Sequence, residues 1–220
     1  MSVTRVQTPG SVEGVRIDTV VTSGTFSLDG GTWDVDNNVY VIGDDAECLI
    51  IDAAHDAAPI LAAVDGRKVN AILLTHGHDD HIGVTRELQE ATGAPVHLHA
   101  DDFFLYERVF PQAPDAQLAE GDTFTVGGVD VRVLHTPGHA PGACCFYVPD
   151  LAALFSGDTL FSGGPGATGR SFSDFGTIID SISEKLLTLP SETLVLTGHG
   201  GSTTIGSEAP QRQEWIDRGH

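Results

Sequence analysis

Apolar residues fall along this chain in short blocks of two periods, and the blocks predict alternating strands and helices. Segments 15–22 and 38–43 are rich in β-branched residues and predict strands. Segment 48–52, Cys-Leu-Ile-Ile-Asp, predicts a buried strand after the turn Gly43-Asp44-Asp45. A short helix is expected over 56–64, an apolar strand over 69–74, a helix over 82–92 closed by Gly93 and Pro95, and a strand over 96–98. The second half has a similar outline. Strands are expected over 124–126 and 129–134 around the turn Gly127-Gly128, then over 143–148 and 152–156. Ile178, Ile179, Ile182, Leu186 and Leu187 stand at helical spacing within a helix expected over 173–189. A strand over 193–196 and a helix over about 210–218 complete the pattern. Two successive runs of strands and helices imply an α/β chain of two stacked sheets with helices on the outer faces.

The chain has 220 residues and a formal net charge of −20 at pH 7. That surface argues against nucleic-acid partners, which need clustered Lys and Arg, and against an anionic membrane. The first residues carry no apolar stretch of the kind that directs secretion, and the expected location is the cytoplasm. Three cysteines, Cys48, Cys144 and Cys145, make no disulfide framework, and small core residues are the expectation for all three.

The chemistry concentrates in four segments, each where a predicted strand ends. Thr75-His76-Gly77-His78-Asp79-Asp80-His81 places three imidazoles and carboxylates in one short loop. Imidazole and carboxylate suit Zn²⁺ and Fe²⁺. His76 and His78, two apart in an extended loop, can converge on one ion, while Asp80 and His81 suit a second ion nearby. Thr136-Pro137-Gly138-His139, Ser156-Gly157-Asp158-Thr159 and Thr197-Gly198-His199-Gly200 add two imidazoles and a carboxylate. Strand C-terminal ends are where α/β proteins place their sites.

Together these four motifs, THGHDDH, TPGHAPG, SGDTLF and TGHG, resemble the metallo-β-lactamase superfamily and within it the glyoxalase II-like (hydroxyacylglutathione hydrolase-like) hydrolases. The similarity runs from Asp36-Asn37-Asn38-Val39-Tyr40 to His199. It implies an αββα sandwich of two mixed sheets. It also implies two divalent ions, zinc first with iron or manganese as alternatives. His76, His78 and His139 would hold one, Asp80, His81 and His199 the other, and Asp158 would bridge them. The implied activity is hydrolysis of a small-molecule acyl-thiol by a metal-bound hydroxide, with Asp80 as a catalytic group. A thiol of pKa about 8.5 departs without a proton donor, which favours thioesters over lactams. The better-known di-zinc lactamases carry cysteine or histidine at the position of Asp158.

Only 21 residues follow His199, so the helical domain that helps glyoxalase II bind glutathione is expected to be absent and residues 1–220 to form a single domain. The thiol carrier is therefore open among glutathione, mycothiol and coenzyme A. Segment 162–170 departs from the family, and in it Gly164 and Arg170 are candidates for substrate binding. Asp52 and His135 are candidates to orient ligands from behind. His55, His97 and His99 are expected to be structural or incidental. Rival readings are a mononuclear iron persulfide dioxygenase using His76, His139 and Asp158, a lactone, phosphodiester or other ester hydrolase, and a non-catalytic metal protein. Oligomeric state is not legible.

Overall fold

The computed structural model describes residues 3–219. The first sheet runs β1 (Val3–Arg5), β2 (Arg16–Leu28), β3 (Gly31–Gly43), β4 (Glu47–Ile51), β5 (Lys68–Leu73), β6 (Val96–His99) and β7 (Ala116–Leu118), in that spatial order. Strands β1 to β4 are antiparallel, and β4 to β7 are parallel through crossovers that carry α1 (Ala57–Val64), α2 (Asp79–Ile82), α3 (Thr85–Thr92) and α4 (Phe103–Tyr106). The second sheet uses β8 (Thr123–Val126), β9 (Val129–His135), β10 (Cys144–Val148) and β11 (Ala153–Gly157). A short hairpin, β12 (Leu160–Phe161) and β13 (Gly164–Pro165), follows, and then α5 (Phe175–Ser181), whose last turn widens through Leu186. Strands β14 (Leu194–Thr197) and β15 (Thr203–Thr204) close the sheet in the order β15-β14-β11-β10-β9-β8. Helices α6 (Ile205–Glu208) and α7 (Arg212–Arg218) end the chain.

Strand alternation sorts the apolar residues into layers. Leu49 and Ile51 join Ile42, Leu73, Val131, Val133, Phe146 and Phe155 between the two sheets. Their neighbours Cys48 and Ile50 face the other way, under Ile60 of α1 and Leu88 of α3. Cys144 packs between the sheets while Cys145 packs outward against Ile178, Ile182, Leu186 and Trp215. The result is the expected αββα sandwich of two stacked mixed sheets. All three thiols are free and buried, and burial pushes those of Cys48 and Cys145 up to about 11, which suits packing rather than nucleophilic attack.

Three of the expected elements take a different form, and the short strands β1, β7, β12, β13 and β15 and helix α4 add to those expected. The first hairpin is far longer, pairing from Arg16↔Gly43 out to Leu28↔Gly31. Its outer half, beyond Thr22, carries only a short apolar alternation, Phe26/Leu28 and Trp33/Val35, interrupted by Ser23-Gly24 and Gly30-Gly31. The signal present is Asp29-Gly30 at positive φ (53° and 78°), the two-residue turn that suits a twisted hairpin. The helix expected over 82–92 is two helices, and the first begins at Asp79, so Asp80 and His81 are helical. The helix expected over 173–189 starts at Phe175, because the Asp174 side chain caps it by accepting from the Thr177 N–H at 2.7 Å.

Candidate metal centre

Both sheets deliver side chains to one edge of the sandwich. The first contributes His76 and His78 after β5, Asp80 and His81 in α2, and Asp52 after β4. The second contributes His139 after β9, Asp158 after β11 and His199 after β14. Bonds between the sheets hold the edge together. The Cys144 N–H donates to the Thr75 carbonyl at 2.7 Å, and the Tyr40 hydroxyl and Asn38 Nδ2 donate to the Thr197 carbonyl at 2.8 and 3.0 Å. Gly198 carries the backbone past Asp158, and a Cβ there would lie 2.2 Å from the Asp158 Oδ1, so a side chain is excluded.

Hydrogen bonds fix which nitrogen His76, His81, His139 and His199 turn inward. His139 Nδ1 is 2.8 Å from the Ala167 carbonyl and His199 Nδ1 is 2.8 Å from the Asp36 carbonyl. A carbonyl only accepts, so each Nδ1 carries a proton and Nε2 is the nitrogen left to face an ion. His81 Nδ1 is 2.9 Å from Asp52 Oδ2, and His76 Nδ1 is 3.0 Å from the Thr75 hydroxyl, whose proton goes to Asp52 Oδ2 at 2.9 Å. The inward atoms then crowd together. His139 Nε2 lies 3.1 Å from His78 Nδ1, and His81 Nε2 lies 3.2 Å from His199 Nε2. Ligand atoms of His76, His78 and His139 lie within 4.8 Å of one another, as do those of Asp80, His81 and His199. Asp158 stands between the groups, its Oδ1 3.4 Å from His81 Nε2 and its Oδ2 3.5 and 3.3 Å from His139 and His199 Nε2.

These residues fit a pair of divalent ions. The buried His76 Nε2 and Asp158 Oδ1 have no hydrogen-bond partner among the described residues. An orphaned buried polar atom is costly, and a cation supplies the missing partner. Lone-pair nitrogens 3.1–3.2 Å apart suit two ligands sharing one ion with bonds of about 2.0–2.1 Å. The Asp158 carboxylate, between the groups, is placed to serve both.

Proton affinity separates the two groups. Burial holds His76 well below the ordinary imidazole value and His78 down at about 3. Burial also works against the cationic forms of His81 and His199, but Asp158 and Asp80 outweigh it, raising His81 well above its usual value and His199 to about 10. Burial opposes ionisation of Asp80 and Asp158 too, and is overcome chiefly by His81, leaving Asp80 at about 2 and Asp158 well below the carboxylate range. An ion must displace protons from His81 and His199, at about tenfold in affinity per pH unit for each proton released. On acidification the Asp80/His81/His199 position is therefore expected to empty first. Metal content after dialysis at pH 8 and at pH 5 checks this, and loss from the His76/His78/His139 position first would contradict it.

Asp52 stands where an orienting group would, hydrogen-bonded to His81 directly and to His76 through Thr75. His135 does not. Its ring stacks on His99 with centroids 3.9 Å apart, and its Nε2 faces the Pro141 carbonyl at 3.0 Å, so its strand end points away from the ligands. Gly164 does not line the cleft either. It is buried in β13, where an added Cβ would meet Arg218 and Trp215 at 3.2 and 3.4 Å, because the short hairpin folds it toward α7. Arg170 does reach the cleft, a space of about 240 Å³ lined also by Phe26, Trp33 and Val35, with its guanidinium 3.8 Å over the Trp33 ring.

Further positioning residues emerge only from the structure. Asn37 donates from Nδ2 to Asp80 Oδ2 at 3.0 Å and accepts from His55 Nε2 at 2.7 Å, so His55 is not incidental. Asp102 accepts from Gly77 N–H at 2.8 Å and Gly142 N–H at 2.6 Å, tying the loop of His76 and His78 to that of His139. Burial pushes its carboxyl up to about 6 against those donors. The buried polar pair Asn37-Asn38, inside an apolar strand, was the one signal of this shell in the sequence.

Comparison with known proteins agrees with this geometry. The family model described as Metallo-beta-lactamase superfamily matches residues 32–199. Hydroxyacylglutathione hydrolase GloC of Haemophilus influenzae is 35% identical over 188 residues, covering 78% of this chain and 89% of that protein. Among solved structures, TTHA1623 in a di-iron-bound form is 38% identical with a TM-score of 0.69, covering 80% of this chain and 93% of that one. The BLEG-1 B3 metallo-beta-lactamase is 32% identical with a TM-score of 0.73, covering 86% and 97%.

Proposed function

The chain belongs to the metallo-beta-lactamase superfamily, and from that premise we propose that it is a di-metal hydrolase of small-molecule thioesters. The observation that carries the reading is Asp158, a single carboxylate within 3.3–3.5 Å of ligand nitrogens from both groups. The hydroxyacylglutathione hydrolase among its relatives supports the thioester class. Zinc is the expected ion, and the di-iron form of one similar structure makes iron the alternative. Bound ions would supply a nucleophilic water at neutral pH and a Lewis acid for the carbonyl oxygen.

The chain's own residues set the rest. His76, His78, Asp80, His81, His139, Asp158 and His199 are the proposed ligands. Asp80 is held ionised by His81, His199 and Asn37, so it stores no proton for a leaving group. That favours a thiolate, which departs at neutral pH unaided. Phe26 and Trp33, on the outer half of the long hairpin, line the cleft with apolar surface. Arg170, stacked on Trp33, faces the same space and would pair with an anionic end of the substrate. Replacing Arg170 with glutamine is expected to raise KM for an anionic thioester about tenfold with kcat unchanged, whereas an equal fall in kcat would remove Arg170 from binding. The acidic surface supports a small-molecule partner over nucleic acid or membrane, and no helix among the described residues is long and apolar enough to cross a membrane. We place the reaction in the cytoplasm, in keeping with three free thiols.

The test is thiol release from thioesters of glutathione, mycothiol and coenzyme A, with a β-lactam and a lactone beside them and a chelated control. Chelator-sensitive release from a thioester supports the reading. Turnover of the lactam or lactone alone would overturn it.

A further inference from the structure

Among the described residues, one trio of metal-ligating side chains lies outside the seven proposed ligands: His99, Asp101 and His135, whose ligand atoms lie within 4.8 Å of one another. We propose that it is a further metal site, for a divalent first-row transition ion of the zinc class. The site does not depend on the proposed thioester activity.

Hydrogen bonds decide what each ring offers. His135 Nε2 faces the Pro141 carbonyl at 3.0 Å, which can only accept, so Nε2 carries the proton and Nδ1 keeps its lone pair. His99 Nδ1 faces the Asp101 backbone N–H at 3.3 Å, which can only donate, so that nitrogen keeps its lone pair too. Both imidazoles are thus set in the tautomer that ligates through Nδ1. Asp101 Oδ2 stands 3.7 Å from His99 Nδ1, beyond hydrogen-bond range. The His99 lone pair is engaged only by the long 3.3 Å bond from the Asp101 N–H, which an ion shared with the Asp101 carboxylate would replace. Burial and the neighbouring His135 also lower the proton affinity of His99, which keeps it neutral and competent to bind.

The ligand set is two imidazoles and one carboxylate, a combination that divalent zinc, nickel and copper accept and that leaves positions for water. An ion bound to both nitrogens must lie in both ring planes, so loading opens the stack, whose rings now sit 10° from parallel. Both rings are only partly buried, at the ends of their strands. Nearby Glu120 is turned to Lys185 Nζ and the His135 N–H, which its Oε2 accepts from at 2.6 and 2.7 Å. His99 ends β6 of the first sheet and His135 ends β9 of the second, so the ion would clip the two sheets together. It would do so beside Asp102, which spans the same two loops.

The experiment is calorimetric titration of zinc into protein whose catalytic pair is already filled. A third equivalent per chain is expected. It should weaken at least about tenfold in His99→Ala, His135→Ala and the surface variant Asp101→Asn, and stay unchanged in His97→Ala. Retention of the first two equivalents reports that each variant is folded. No third equivalent up to about 1 mM zinc, or a third equivalent that ignores all three variants, would overturn the proposal.

Discussion

Asp158→Ala is expected to lose both metal ions and to hydrolyse thioesters at least about a hundredfold more slowly. Changing a partner behind a metal ligand costs about 10–100-fold, and this variant removes the shared ligand itself. Its Oδ1 is buried without a hydrogen-bond partner, and its two oxygens face His81, His139 and His199 at 3.3–3.5 Å. Alanine leaves those three nitrogens converging with Asp80 as the only remaining anion among the seven ligands, too little charge to hold two dications together. Asp158→Asn keeps the shape and discards the charge, so it should fail nearly as badly. Cys145→Ala, a change in the outer core, should leave metal content and rate intact. Metal analysis of the purified variants beside their rates checks this, and two ions retained in Asp158→Ala would refute the bridge.

The second large effect is expected from Asp52→Ala, although Asp52 is not a proposed ligand. Its Oδ2 fixes His81 at 2.9 Å and, through the Thr75 hydroxyl, fixes His76 as well. One carboxylate therefore orients a ligand in each group, and its removal should weaken both ions by about 10–100-fold. It also strips the buried Thr75 N–H of the acceptor 2.7 Å away, which costs about 1–3 kcal/mol in stability. Asp52→Asn offers an acceptor for Thr75 but no charge for His81. It should restore much of the stability and little of the metal affinity. Thermal unfolding and zinc competition measured on both variants separate the two effects, and equal recovery of both would reduce Asp52 to a packing role.

How legible this protein is from its sequence depends on how local each feature is. The layers are legible because Cys48 to Ile51 alternate between two cores within four residues. Four ligands are legible because they stand within six positions of one another at a strand end. Of the orienting shell only Asp52, at a strand end, is legible, since the other bonds cross long stretches of chain: Asp36 to His199, Asn37 to Asp80, His139 to Ala167. The same distance misleads. His135 stands four residues before a ligand, yet the strand end turns it toward His99, and Gly164 stands near Asp158 in sequence but folds toward α7. The outer hairpin is hard to read because its alternation is only two positions long on each strand, Phe26/Leu28 and Trp33/Val35, and its residues line an open cleft rather than a core.

The measurement that tests the central claim most directly is metal content per chain, determined together with turnover as ions are removed and restored one equivalent at a time. Two ions per chain, with thiol release returning only as the second equivalent is restored, is the predicted result. A single iron per chain, with oxygen consumed on adding a persulfide and no thioester cleaved, would contradict it.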